Sequence, residues 1–400
     1  MYKWPLINDN INIDDRKKLA NFILKTNRFT NGPKVKEFEN LWSKWLGVKH
    51  SVFVNSGASA NYIMAAILKE KMGLGEVIVP PIGWVSDIAP LVHMGMTPVF
   101  VDVSYENMAI TYENIKNAIT EKTVGIVLVH VLGFNAISKE IIALCNEKGI
   151  MLLEDCCESH GATFNGQKIG NFGDMSNFSF YFGHHMTTIE GGMVCTNSDE
   201  LYDYAKLFRS HGMTRDGSED LKNRYIEKYP QLNPLFTFAV PGFNMRNNEL
   251  GAVLGLNQIK RLDKNIKKRT DNLNTWLDHL NNDLFITEFD RKGSSNFSLP
   301  LILREKNDKV WTQILKTLQD EKIEFRVGTA GGGNQERQPY LQEGKYSYRV
   351  NDNLENANHI HDYGLYLGNH TDVSCEMIKI LCKRLHYEKL KVATSHSRLN

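Results

Sequence analysis

Two histidines, His184 and His185, stand side by side in "SFYFGHHMTTIEGG" (179–192), a loop-like stretch just after a short aromatic strand. An imidazole there can take up and return a proton near neutrality, because its unperturbed pKa is about 6.5. Other stretches carry groups that could work beside it. "NSGASAN" (55–61) puts Gly57, Ala58 and Ser59 at the opening of a helix, where free N–H groups suit a phosphate or simply cap the helix. Asp155 ends the apolar run "MLLED" (151–155), as a surface cap or as an acid that keeps a buried ring nitrogen protonated. Trp84 follows "VPPIG" (79–83) and is either core or a flat face for an aromatic cofactor. Ser179 adds a hydroxyl close to the histidine pair. Taken singly, each of these residues is better explained by an ordinary structural role.

The elements that must position them are legible from hydrophobic patterning. "SVFV", "EVIVPP", "TPVFVDV", "VGIVLVHVLG" and "IMLLED" read as buried strands. "ANYIMAAILKEKMG", "DIAPLVHMGM", "TYENIKNAITE" and "ISKEIIALCNEKG" read as the helices between them. Continuous apolar strands alternating with helices predict an α/β fold, a mostly parallel sheet covered on both faces. Ligands gather at the carboxyl ends of such strands, where Gly57, Trp84, Asp155 and the histidine loop all fall. Past residue 250 the pattern changes. One long helical stretch (247–280) leads to the strand "NFSLPLILR", a helix over 308–321 and the strand "IEFRVG". This predicts a large α/β domain over 1–250 and a smaller α+β domain over 251–400, joined by the long helix. The glycine run "AGGGN" (330–334) is expected to be a mobile loop and "TSHSRLN" (394–400) a frayed tail.

Composition narrows the classes. Forty-seven basic and 46 acidic residues leave a formal charge of +1, which points to neither nucleic acid nor a membrane surface as partner. No apolar run reaches the roughly 18–20 residues that span a bilayer, and the start lacks a signal-peptide pattern. The six cysteines form no C-x-x-C pair, so neither a zinc site nor a disulfide framework is expected. A reduced, cytoplasmic protein without a resident metal is the expectation.

Order and spacing add more. Seven blocks, among them "VNSGASAN", "LLEDCCESHGATFNGQKIGNFGD", "FSFYFGHHMTTIEGG", "FRSHGMTR" and "PGFNMRNNELGAVLGLNQIKRLD", run in register from about residue 29 to 370. In these the chain resembles the DegT/DnrJ/EryC1/StrS sugar aminotransferases, which are fold-type I enzymes of the aspartate aminotransferase kind that use pyridoxal 5′-phosphate (PLP). The resemblance implies a large domain with a mostly parallel mixed sheet and a smaller α+β domain. It also implies that Gly57, Ala58 and Ser179 hold the cofactor phosphate, with Ala58 offering only its amide. Trp84 would stack on the pyridine ring, and Asp155 would pair with the ring nitrogen, with Glu158 nearby. Asn244 would reach the phosphate from the second subunit of a homodimer.

The departure from the family lies at the catalytic position. Most members carry a lysine there, followed by a run ending in Gly-Glu-Gly-Gly; here that position is His184. Imidazole cannot tether the cofactor covalently as a lysine amine does. A branch of the family that dehydrates GDP-4-keto-6-deoxy-mannose in colitose (O-antigen, lipopolysaccharide) synthesis shares a His-His-x-x-Thr-x-Glu-Gly-Gly loop, matched here by "HHMTTIEGG". Resemblance to that branch implies a lyase working with free pyridoxamine 5′-phosphate (PMP), which removes the C3 hydroxyl of a nucleotide-linked 4-keto-6-deoxyhexose and releases ammonia. PMP would be restored from L-glutamate. His184 would be the acid and base, supported from behind by His185, and Glu324 in "KIEFR" would serve the glutamate half-reaction. Arg326 could bind a carboxylate or phosphate, His211 the sugar or cofactor, and Arg215 a diphosphate; Glu324 and Arg326 could equally be solvent-facing strand residues. A second histidine-bearing branch needs an iron–sulfur cluster, and the spacing of Cys195, Cys375 and Cys382 does not supply its thiolates. An ordinary sugar aminotransferase and a non-catalytic regulatory protein that kept the fold are the alternatives.

Overall fold

In the computed structural model, which describes residues 2–396, the apolar runs become fully or largely buried strands. They are β1 (His50–Val54), β2 (Glu76–Val79), β3 (Thr97–Phe100), β4 (Thr123–Val129) and β5 (Met151–Asp155). A small hairpin follows, β6 (Thr163–Phe164) with β7 (Gln167–Lys168), then β8 (Met175–Ser179) and β9 (Gly192–Thr196). Later come β10 (Ser298–Ile302), β11 (Phe325–Val327), β12 (Arg349–Val350) and β13 (Gly364–Gly368). The main sheet has eight strands in the order β1-β9-β8-β5-β4-β2-β3-β12. Only β9 runs against its neighbours, and every other pairing in that sheet is parallel. The histidine loop is the reversal between β8 and β9. Neither β9 nor β12 was among the expected strands. The second sheet, β10-β13-β11, is antiparallel.

Two helices sandwich the part of the sheet that matters for the site. Helix α1 (Ile13–Lys25) lies outside; α2 (Pro33–Leu46) and α3 (Gly57–Met72) take opposite faces of β8. Strand alternation sorts the side chains between them. Phe178 and Phe180 point toward α2, where they pack edge-on against Trp42 with ring centroids 5.1 and 4.8 Å away. Asn177 and Ser179 point toward the start of α3. The same alternation on β5 sends Asp155 toward α3 and Glu154 to the far side. A five-residue strand with period two thus separates an aromatic core from a polar face.

Three details differ from expectation. The long helical stretch is broken: Glu249–Gln258, a tighter turn Ile259–Arg261, then Leu262–His279. Arg261 leaves helical backbone values (φ −114°, ψ 1°) while its guanidinium binds Asp15 and the Asn10 carbonyl. The glycine run is held rather than free. The Gln335 N–H donates to the Pro81 carbonyl at 2.8 Å, and Gly331, with φ +60°, sits so close to Gly83 that a methyl on it would lie 2.1 Å from the Gly83 carbonyl oxygen. Helix Cys375–His396 takes in the start of the expected frayed tail, whose last four residues lie outside the described ones.

Residues 4–10 form a strap across the molecule. The Trp4 indole donates to the Gly368 carbonyl, the Leu6 N–H to the Glu324 carboxylate, and the Asn10 amide to the His185 carbonyl. Among the described residues no helix is long and apolar enough to cross a membrane.

Candidate active site

Helix α3 opens at Gly57 behind Ser56, whose hydroxyl accepts the Ser59 N–H at 3.0 Å. That leaves the N–H groups of Gly57 and Ala58 without a protein partner among the described residues. They sit at the positive end of a 16-residue helix. Gly57 must be glycine here: a methyl on it would lie 2.7 Å from Ser179 Cβ and 3.0 Å from Cys157 Sγ. The bare backbone therefore lies against the Ser179 hydroxyl, and together they form a small cradle for an anion.

Asp155 lies at the end of β5 on the same face. One of its oxygens accepts from Asn61 at 2.8 Å and Asn177 at 3.1 Å, the other from the Cys157 N–H at 2.9 Å. Asp87, in the turn after Trp84, lies close by: the Asn61 nitrogen that binds Asp155 is 3.4 Å from it. Trp84 itself is 58% exposed, a large flat ring in the open at the end of β2. Glu158 accepts the Leu132 N–H at 2.8 Å, and burial pushes its pKa up to about 7.

His184 is partly exposed, with Nδ1 buried and unpartnered. Its ring sits among Phe297, Tyr181 and His160, at centroid distances of 5.1, 5.9 and 6.2 Å. Burial lowers its pKa to about 4; the charge of Asp155 works against that shift and the Arg269 guanidinium adds to it. At neutral pH the ring is neutral and able to accept a proton. Arg269 is buried too, donates to the Phe297 carbonyl at 2.8 Å, and reaches the His184 carbonyl at 3.5 Å. His185 points away, its Nε2 3.1 Å from the Ser295 carbonyl, and burial holds it and His160 far below the usual imidazole range.

The remaining expected residues are more dispersed. Glu324 binds the Leu6 N–H at 3.0 Å and lies 3.4 Å from Arg326. Arg326 stands opposite Tyr366 in the pairing of β11 with β13, and burial raises the pKa of the Tyr366 phenol. His211, Arg215 and Asn244 lie exposed on the segment 211–244. His211 adopts φ +61°, Arg215 donates to the Leu235 carbonyl, and Asn244 accepts from Arg246. Among the described residues none of the three bonds to Gly57, Ser179 or His184. The residues missed in the sequence are Asn61, Asp87, Asn177 and Tyr366. Of these, Asn61 closes the motif "NSGASAN" and Asp87 lies three positions after Trp84 in "GWVSD"; Asn177 and Tyr366 carry no local sign.

The set fits a phosphorylated aromatic ring. Orphan N–H groups and a glycine cradle suit the phosphate, Trp84 offers a stacking face, Asp155 suits the ring edge, and His184 is a neutral base beside them. A buried trio elsewhere, His130, Glu154 and Cys156, brings its donor atoms within 4.8 Å of one another. Glu154 there is already filled by the N–H groups of Gly170, Phe172 and Gly173 and by His130.

Comparison with known proteins agrees with this geometry. The model of the DegT/DnrJ/EryC1/StrS aminotransferase family matches residues 10–386. The GDP-4-keto-6-deoxy-D-mannose 3-dehydratase of Yersinia pseudotuberculosis is 35% identical over 90% of this chain and 92% of its own. The enzyme of that name from Escherichia coli O55:H7 is 32% identical over 92% and 96%. A crystal structure of GDP-4-keto-6-deoxymannose-3-dehydratase with a trapped PLP–glutamate geminal diamine superposes with a TM-score of 0.87, at 31% identity, covering 96% of this chain and all of that one.

Proposed function

The chain belongs to the DegT/DnrJ/EryC1/StrS aminotransferase family, and from that premise we propose that it is a nucleotide-sugar 3-dehydratase working with PLP and PMP held without a covalent bond. The substrate is a GDP-linked 4-keto-6-deoxyhexose, most simply GDP-4-keto-6-deoxy-D-mannose, and L-glutamate is the amino donor. One observation carries this reading: a neutral histidine, His184, stands beside an intact cofactor cradle where the family's tethering lysine would be.

When bound, the pyridine ring supplies an electron sink that lets a carbon-bound proton leave and a neighbouring hydroxyl depart. The protein does the rest. Gly57, Ala58 and Ser179 bind the phosphate, joined by Asn244 of the partner subunit in a homodimer. Trp84 covers one face of the ring, Asp155 keeps its nitrogen protonated, and Glu158 flanks it. His184, neutral at pH 7 with its pKa lowered to about 4, takes the proton and as imidazolium is a strong enough acid to deliver it to the departing C3 hydroxyl. A lysine would capture the cofactor instead of leaving it free. In the glutamate half-reaction His184 moves the proton again, with Glu324 assisting and Arg326 holding a carboxylate. His211 and Arg215 meet the sugar diphosphate. On this reading residues 1–250 form the cofactor domain and residues 251–400 the smaller one, in a cytoplasmic enzyme supplying colitose for surface lipopolysaccharide.

The test uses purified protein, PLP and L-glutamate, following the absorbance spectrum and 2-oxoglutarate, then GDP-4-keto-6-deoxy-mannose with an assay for ammonia. Ammonia and a 3-deoxy sugar, both lost in His184→Asn, are the expected result. A stable 4-amino sugar would make the chain an aminotransferase, and no cofactor conversion would refute the enzyme reading.

A further inference from the structure

Asp87 has no place in the mechanism above, yet it is buried as deeply as Asp155. It sits in the short turn Val85–Asp87 and is 5% exposed. One carboxylate oxygen accepts the Trp84 N–H at 2.9 Å, and the Asn61 amide that binds Asp155 at 2.8 Å lies 3.4 Å from the other. One amide nitrogen, that of Asn61, thus bridges the two buried carboxyls. Two carboxylates cannot share so dry a contact with both charges intact. Gly83 allows the packing, since a methyl there would fall 2.6 Å from Asp87 Oδ2.

We propose that Asp87 is a positioning residue: a protonated carboxyl that donates its hydrogen bond to Asp155 and accepts one from Trp84, so that a single side chain sets both the acid at the ring edge and the stacking indole. The roles of Asp155 and Trp84 rest on the function proposed above; the shared proton rests on two buried carboxyls bridged by the Asn61 amide. The groups facing Asp87 are Asp155, Glu158, Cys157 and Tyr340, none of them cationic. Burial, followed by the charge of Asp155, raises its pKa well above the ordinary carboxylate range. The sign follows. The folded chain keeps a proton that an unfolded aspartic acid releases near pH 4, so Asp87 makes folding progressively less favourable as pH rises from about 4 toward its folded pKa.

Asp87→Asn separates the proton from the shape, because an amide can accept from Trp84 and donate to Asp155 at every pH. Two measurements test the proposal: thermal unfolding of the cofactor-free protein across pH 5–8, and PLP binding by absorbance and tryptophan quenching. Wild type should lose melting temperature relative to Asp87→Asn as pH rises. Asp87→Asn should bind PLP within about threefold of wild type and Asp87→Ala roughly tenfold more weakly, one hydrogen bond at each end being lost. Melting curves that run parallel across pH, or an Asp87→Asn that binds as poorly as Asp87→Ala, would overturn the proposal. If Asp87→Ala does not fold, the Asp87→Asn comparison decides. A wild type that takes up no PLP would sink the functional reading, while the pH dependence of melting would still show whether the proton is there.

Discussion

Glu154 and Asp155 are consecutive buried acids on one strand, yet their surroundings differ. Glu154 is surrounded by donors: three backbone N–H groups of the 170–173 loop and His130, which together hold its pKa down against burial. Asp155 has two side-chain amides and one N–H, and it shares the Asn61 amide with another carboxyl, Asp87. The first is a completed knot tying a loop to the sheet. The second is left with electrostatic demand that a cationic ring nitrogen would meet. Burial alone does not set the two apart; what their donors belong to does, a loop anchored to the sheet for Glu154 and the side chains around the proposed site for Asp155.

Asp155→Asn should break the functional side of that contrast. Turnover is expected to fall about 10³-fold, or about 4 kcal/mol in the barrier, read from ammonia release at saturating substrate. Glu154→Gln breaks the other side: an amide in place of the acceptor leaves N–H groups facing a donor, and urea unfolding should show a loss of about 3 kcal/mol. Comparable losses of stability from both variants would refute the division of labour.

Gly57→Ala sharpens the comparison at the phosphate end. Its methyl collides with Ser179 and Cys157, and PLP affinity measured by titration should drop about tenfold. The smallest expected effect is in pH. With the His184 pKa lowered to about 4, the glutamate half-reaction should hold its rate from pH 8 down to about 5 and fall below that, instead of halving near 6.5. The same shift predicts that stability declines as pH falls from about 6.5 to 4, because the unfolded imidazole takes a proton the folded one refuses. His184→Asn should flatten that decline.

The residues proposed for the cofactor could be picked out in the sequence because most of them close or follow an apolar run, where alternation and strand polarity assign a face. Ser179 between Phe178 and Phe180, and Asp155 closing "MLLED", are of this kind. Asp87 was not legible, since its partner Asp155 lies far along the chain and only sheet order brings them together. Tyr366 and the insertion of β9 between β1 and β8 escaped for the same reason. The glycine run misled because composition reports backbone freedom, while the approach of Gly331 to Gly83 uses that freedom to make a tight contact.

The strap of residues 4–10 sets the order of assembly. Its Trp4 bond partner, Gly368, lies 364 positions later in the chain, and Asn10 supports the His185 carbonyl inside the histidine loop. On the ribosome the Trp4 indole must wait for this bond until β13 has been made. The strap therefore closes in stages: Asn10 can meet His185 once the histidine loop exists, while Leu6 and Trp4 find Glu324 and Gly368 only with the strands of the second sheet.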